Sequence, residues 1–314
     1  MYIKTSRIYT FILLAIICLP LSSCFTGIES TKKITLSRDD RKNTLPTPEE
    51  TYLDNVKATP HTTWNIGKPF LVADEKASLL IDAGRIVSGN FSLSPNDTLI
   101  FREAKAIRTP DGTECVTLIF SRGDDEFRYQ PRGTTDDRAI IMSDAIPGLI
   151  DPEMVEEADR LMRGNRYWTR SLLWLDKDGE RLDGLKYVPV TIEKVEPGTM
   201  VFPLRITFRD AEGRQGRYLM NFGSGGKDSR GFANLFSLSD PRSAYPGITD
   251  EVWARIQRAQ VAPGMTKTEC RLSKGNPSDV YDGHDYSKLL LLWVYPDATT
   301  LYFEDDILVR VKSY

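Results

Sequence analysis

Residues 107–120 read IRTPDGTECVTLIF, and this stretch predicts a tight turn followed by a β-strand. Proline presets φ in a turn, and glycine tolerates the positive φ that follows it. The β-branched and aromatic residues of 116–120 are typical of a strand. Residues 195–208 read VEPGTMVFPLRITF and repeat this arrangement. We therefore predict a mainly β protein with an internal repeat, in which Gly198 takes positive φ.

The similarity extends upstream of both turns. Residues 67–72 and 98–101 precede the first turn, as 164–169 and 188–192 precede the second, although Gly67 lies 43 residues before its turn proline and Gly164 only 33. An insertion around residues 88–96 would account for the difference. We expect two small antiparallel β-barrel-like modules, residues 66–150 and 165–244, that arose by duplication. The alternative is one continuous β-sandwich whose hairpins share turn chemistry.

Residues 151–164 predict a linker helix between the two modules. Asp151 suits the N-cap, Pro152 fits the first turn, and Gly164 can close the helix. Its apolar residues fall on one stripe, which should pack against the modules.

The last seventy residues predict an ααβββ module over residues 245–314. Thr249 can cap a first helix, and Thr266 with Glu269 has the spacing of a capping box at the start of a second. A polar loop is expected at 278–285. The three predicted strands are Leu289 to Tyr295, Thr299 to Phe303 and Ile307 to Val311.

Several short motifs of this module resemble those of the SmpA/OmlA family of small outer-membrane lipoproteins. They are GMT at 264–266, GNP at 275–277, WVY at 293–295 and YFEDDILV at 302–309. The family is associated with β-barrel assembly and envelope integrity. The resemblance therefore implies a protein-binding role in the bacterial envelope.

The first 23 residues predict a signal peptide. Lys4 and Arg7 precede an apolar run over 8–21 that is too short to span a bilayer as a helix. Residues 21–24, LSSC, resemble the bacterial lipobox, in which cleavage before the cysteine accompanies its acylation. Cys24 is therefore the predicted lipidation site, and multiple acyl chains would hold the chain stably on a membrane. The alternative is an ordinary signal peptide followed by a chance cysteine.

Residues 24–65 are polar and predict a flexible tether between the lipid and the folded body. The residue after Cys24 is Phe25 rather than aspartate, and no acidic run follows it. We therefore expect a lipid anchor in the outer membrane, with the protein on the periplasmic face.

Composition narrows the possible partners and cofactors. Without residues 1–23 the chain has 39 basic and 44 acidic residues, a balance of −5 that argues against a nucleic-acid partner. The two histidines, His61 and His284, are far apart, so we expect no metal and no other cofactor. Cys115 and Cys270 are expected as buried free thiols, with a disulfide as the alternative.

We predict no enzymatic activity. Residues 222–229, FGSGGKDS, lack the spacing of a phosphate-binding loop. The acidic clusters fall in predicted turns, where carboxylates are ordinarily solvated. An unrecognised hydrolase would instead need a buried carboxylate or histidine with a shifted pKa in a cleft.

Aromatic side chains are the remaining candidates for a binding site. Four of them are the candidate contacts with a partner or a glycan: Trp168, Trp174, Tyr286 and Trp293. Trp168 and Trp174 are spaced to share one face if they lie on a single strand. We expect a membrane-anchored envelope lipoprotein that binds another envelope protein. The alternative is a glycan- or peptidoglycan-binding lipoprotein.

Overall fold

The computed structural model describes residues 32–33, 45–56, 58–85, 92–108, 110–131, 146–222, 230–285 and 288–313. The protein is mainly β, with curled antiparallel sheets. It divides into two compact units, Asn43–Gln260 and the smaller Met1–Lys42 with Val261–Tyr314. Within the described ranges, no helix combines the length and the apolar character needed to cross a membrane.

The described strands and helices alternate irregularly along the chain. The strands are β1 (Lys32–Lys33), β2 (Pro69–Val72), β3 (Asp82–Arg85), β4 (Thr98–Arg108), β5 (Glu114–Arg122), β6 (Asp125–Tyr129), β7 (Leu149–Ile150), β8 (Arg166–Thr169), β9 (Leu173–Leu175), β10 (Arg181–Asp183), β11 (Pro189–Pro197), β12 (Leu204–Asp210), β13 (Gln215–Met220), β14 (Phe236–Ser237), β15 (Asp279–Asp285), β16 (Lys288–Val294), β17 (Thr299–Glu304) and β18 (Ile307–Ser313). The α-helices are α1 (Pro152–Met162), α2 (Phe232–Leu235), α3 (Asp250–Gln257) and α4 (Lys267–Lys274).

The unit Asn43–Gln260 contains two antiparallel sheets of similar strand order, and the second has one more strand than the first. The first runs β7-β2-β4-β5-β6-β3, and the second runs β14-β8-β11-β12-β13-β9-β10. Strands at equivalent positions in the two sheets pair with equivalent neighbours. The long strands β4 and β11 even carry a register shift at equivalent places, between Phe101 and Glu103 and between Ile192 and Lys194. The two sheets share this topology, and the duplication predicted from the two turns stays a prediction.

Each sheet buries one face in its own apolar core. Phe70, Phe120 and Phe127 lie in the first core, and Ile192, Phe208 and Tyr218 lie in the second. Buried and more exposed residues alternate along β13, as expected for a strand with one face on the core.

The two predicted turns differ in the role of glycine. Gly112 has φ +89°, as predicted, but Gly198 does not take positive φ. A Cβ placed on Gly198 would lie 2.2 Å from the carbonyl oxygen of Phe202, because the backbone crosses there at close range. The prediction for Gly198 was wrong. Glycine is needed at this position because there is no room for a side chain.

Part of the predicted tether is packed against the body. Leu53 and Val56 are buried in the core of the second sheet. The hydroxyl oxygens of Tyr52 and Tyr167 lie 2.5 Å apart. Within residues 24–65, the described part from 45 onward therefore includes side chains that contribute to the core.

The linker helix begins as predicted. Asp151 caps α1 by accepting a hydrogen bond from the backbone N–H of Glu153, and Pro152 occupies the first turn. Val155, Ala158 and Met162 form its buried stripe. Helix α1 packs on β11, so it belongs to the core of the second sheet.

Helices α3 and α4 fall in different units. Thr249 caps α3, and the ring of Trp253 lies 5.6 Å from that of Tyr187 in the unit Asn43–Gln260. Helix α4 follows Val261 and begins with the predicted capping box of Thr266 and Glu269. The ααβββ arrangement itself stays a prediction.

The smaller unit contains a five-stranded antiparallel sheet of order β1-β15-β16-β17-β18. The three predicted strands are present as β16, β17 and β18. Residues 279–285, predicted as part of a polar loop, instead form β15, which pairs with β16 along its whole length. Pairing with an apolar neighbour thus overrides the polar composition of β15.

Candidate functional site

Two of the predicted contact residues are core residues. The side chain of Trp174 is 1% exposed, and its ring packs edge-on against Phe208 at 5.0 Å. Trp293 is 3% exposed and packs against Phe303 at 4.7 Å. Both rings are therefore enclosed by the protein and face no open surface.

Trp168 is half-buried, with the guanidinium of Arg166 5.6 Å from its ring. It lies on β8, whereas Trp174 lies on β9, and β11, β12 and β13 separate these strands in the sheet. The two tryptophans therefore do not share the face of one strand. Cys24 and Tyr286 lie outside the described residues.

The smaller unit instead brings together a row of side chains across four strands. Tyr281 is paired with Leu292, Leu292 with Tyr302, and Tyr302 with Arg310. In the next row, Gly283 is paired with Leu290 and Leu290 with Glu304. Because side chains alternate across a strand, these residues project from one side of the sheet. We call the surface formed by Tyr281, Leu290, Leu292, Tyr302 and Arg310 the aromatic face.

Helix α4 lies on the opposite side of the sheet. The guanidinium of Arg271 in α4 is 5.1 Å from the ring of Trp293, and the Lys274 ammonium is 5.4 Å from that of Tyr295. Trp293 is paired with Leu301, which is fully buried. The side of the sheet that carries Trp293 therefore forms the core of this unit.

A cleft of about 510 Å³ runs along the aromatic face. Its floor includes Leu290 and Leu292, and Gly283 contributes no side chain beside Leu290. Glu304 and Arg310 line its margins with charges of opposite sign. The cleft thus has an apolar centre and a polar edge.

Arg310 shapes the electrostatics of this cleft. Its guanidinium carbon lies 4.0 Å from the centre of the Tyr302 ring, which is the distance of a close cation–π contact. This contact holds a positive charge at the margin and covers one side of the tyrosine ring. The pair can donate hydrogen bonds to a carboxylate or a backbone carbonyl of a bound molecule.

The groups with shifted pKa values lie elsewhere and are dispersed. Burial lowers the pKa of His61, and burial lowers that of Lys186 to about 8, with a further contribution from the charge of Arg170. Burial, with a contribution from Glu269, raises the pKa of the Cys270 thiol to about 12. Cys115 and Cys270 are both free and buried. Across the described residues, no three His, Cys, Asp or Glu side chains form a group able to hold a metal ion.

The aromatic face was not identified from the sequence. The run LLLLWV in β16 indicates a strand that is apolar on both sides. One of these two apolar sides could have been recognised as the aromatic face. Tyr281 gave no such signal, because it lies in a polar stretch that forms a strand only through its pairing.

No family model, no curated protein and no solved structure matches this chain. The resemblance of residues 245–314 to the SmpA/OmlA family therefore stays a prediction.

Proposed function

We propose that this chain is a lipid-anchored, non-enzymatic binding protein of the bacterial outer membrane that recognises another envelope protein through the aromatic face. The observation that carries the proposal is the row Tyr281, Leu292, Tyr302 and Arg310, which crosses four strands on the side of the sheet opposite α4. The anchor is a diacylglyceryl group on Cys24, and the periplasmic side of the membrane is the proposed location.

The chemistry of the face favours a protein partner. Protein interfaces combine an apolar centre, enriched in aromatic residues and arginine, with a polar rim. Leu290 and Leu292 supply the centre here, and Glu304 and Arg310 supply charges of both signs at the edge. An apolar cleft in a surface sheet is also the kind of feature that marks an interaction site.

Glycan binding is the alternative, and the observation that favours it is the partly exposed ring of Trp168. Sugars stack on open aromatic rings, whereas Arg310 covers one side of Tyr302, and Trp174 and Trp293 are buried. Trp168→Ala should abolish cosedimentation with peptidoglycan if this alternative holds. Unchanged cosedimentation would remove Trp168 as a glycan contact.

Site-specific photo-crosslinking in intact cells tests the protein partner. We expect a photoreactive amino acid at Leu290, on the aromatic face, to give a discrete crosslinked protein. The matched control is the neighbouring Leu289, which is 44% exposed and projects to the other side of β16. Equal crosslinking from both positions, or none from Leu290, would contradict the proposal.

A second substitution tests whether the face determines the contact. Leu292→Glu places a charge in the centre of the cleft and should abolish the crosslink from Leu290, because a charge buried in an apolar interface is costly. Its melting temperature must be compared with that of the parent, so that loss of folding is separated from loss of binding. A crosslink that survives in the folded variant would show that the partner binds elsewhere.

A further inference from the structure

A cavity of about 580 Å³ lies in the unit Asn43–Gln260 and is lined by residues associated with both sheets. This volume is within the range of about 300–1,000 Å³ that is usual for small-molecule sites. The described lining comes from the chain before β2, from Leu80 and the chain leading into β7, and from β2, β7, α1, the turn before β12 and the chain after β13. Among its residues are Phe70, Leu80, Ile150, Met154, Val201 and Phe222.

The cavity is almost wholly apolar. Its acidic residues are Asp54, which is exposed, and Asp151, and no described lining residue is a lysine or an arginine. The Asp151 carboxylate accepts the N–H of Glu153 and pairs with Lys68 at 3.0 Å. The described lining therefore contributes no cationic side chain for a carboxylate or a phosphate, which favours an apolar ligand without negative charge.

The opening is bordered by apolar side chains in water. Val201 is 63% exposed and Leu80 is 44% exposed, although both line the cavity. Covering such side chains is favourable because it removes apolar surface from water. Met154 and Met200, with unbranched and flexible side chains, can adapt to the shape of a chain-like ligand.

We propose that this cavity binds the acyl chain of an uncharged monoacyl lipid, with its polar end at the opening near Asp54. An elongated hydrocarbon satisfies the lining, and a neutral head group avoids repulsion by the exposed carboxylate of Asp54. The site is separate from the aromatic face. Only the source of the lipid, a surrounding membrane, rests on the proposed envelope location.

The test is quenching of tryptophan fluorescence by a monoacylglycerol with a brominated chain, added to the full chain carrying Cys24→Ala. Bromine quenches tryptophan only at short range. The ring of Trp64 lies 4.6 Å from that of Phe70, which lines the cavity. We expect saturable quenching at one lipid per protein. In Trp64→Phe most of this quenching should be lost, while the lipid still copurifies.

Two adjacent leucines provide a matched pair of variants. Leu80→Asp places a charge at the opening and should weaken binding by about tenfold or more, because a bound acyl chain would cover that charge. Leu79, which is 82% exposed and does not line the cavity, should tolerate the same change without effect on binding. Both side chains lie at the surface, so both variants should give the parent's circular dichroism spectrum.

Three results would overturn the assignment. They are quenching that does not saturate, equal binding by the two leucine variants, and stronger competition by a fatty acid anion than by the neutral lipid. Binding by Cys24→Ala but not by the acylated parent would mean that the occupant is the chain's own anchor. A failure of lipid binding would leave the envelope location standing, since that is tested separately by membrane fractionation.

Discussion

Lys68 Nζ lies 3.0 Å from Asp151 Oδ2, and both side chains are buried. Lys68 immediately precedes β2 of the first sheet, whereas Asp151 caps the helix that leads into the second. Lys68→Met leaves the buried carboxylate without its cation, so we expect the free energy of unfolding to fall by about 3–5 kcal/mol. Urea denaturation measures this change.

Asp151→Asn provides the control for the ion pair, because asparagine can still cap α1. Combined with Lys68→Met, it should recover much of the lost stability, since no unpaired charge remains. Strictly additive effects would contradict an energetic link between the two residues.

Burial lowers the pKa of Lys68, but the hydrogen bonds and charges of Glu153 and Asp151 raise it by more, so the net pKa lies above the ordinary 10.5. The stabilisation should therefore persist below pH 10.5 and be lost as the pH rises through the folded-state pKa.

Lys186 should have the opposite dependence on pH. Its pKa is lowered to about 8 by burial and by Arg170, against the ordinary lysine value of 10.5. Between these values the unfolded chain binds more protons, so the free energy of unfolding should rise with pH. Lys186→Met should be more stable than the parent at pH 7, and its advantage should shrink towards pH 10.5.

Lys177→Met is the matched control for Lys186, because the Lys177 side chain is 77% exposed. Denaturation of both variants and the parent at pH 7 and pH 10 separates the two effects. If Lys186→Met and Lys177→Met shift stability equally at both pH values, burial of the Lys186 ammonium is not the cause.

Gly198 should not tolerate a side chain. The Cβ of Gly198→Ala would lie 2.2 Å from the Phe202 carbonyl oxygen, so the backbone must move. Such overpacking costs about 1–3 kcal/mol. Gly247→Ala is the control, because an added Cβ there meets no atom within 4 Å. Thermal melting should distinguish the two, and equal melting temperatures would rule out the close approach.

Local sequence predicts the features whose partners lie close by in the chain. The turn at Gly112, the N-cap at Asp151 and the capping box at Thr266 depend on neighbours within a few residues, and all three were predicted correctly. The prediction of positive φ at Gly198 was wrong, because the need for glycine there comes from the close approach of the returning chain at Phe202. Turn chemistry cannot reveal how closely two backbones approach.

The candidate sites depend still more on distant residues. Tyr281 and Tyr302 meet on one face only through the pairing of three strands. Trp174 is hidden because β9 folds against Phe208, which its own flanking sequence cannot indicate. The apolar cavity joins side chains as far apart as Leu53 and Phe222, and no local pattern predicts that.

The capping box makes a prediction for the smaller unit. Thr266 Oγ1 accepts the N–H of Glu269, and the Glu269 carboxylate accepts the N–H of Thr266. Thr266→Ala should lower stability by about 0.5–2 kcal/mol, because a short helix depends strongly on its cap. The exposed Thr268, in the first turn of the same helix, should tolerate alanine. Equal effects would mean that the cap does not hold α4 in place.

Attachment through a lipid on Cys24 is tested most directly by the mass of the N-terminal peptide of the purified mature protein. We predict a chain that begins at Cys24 and carries a diacylglyceryl group, and we predict that Cys24→Ala abolishes both this mass and membrane fractionation. An unmodified Cys24 peptide, or a membrane-bound Cys24→Ala protein with unchanged mass, would contradict the account.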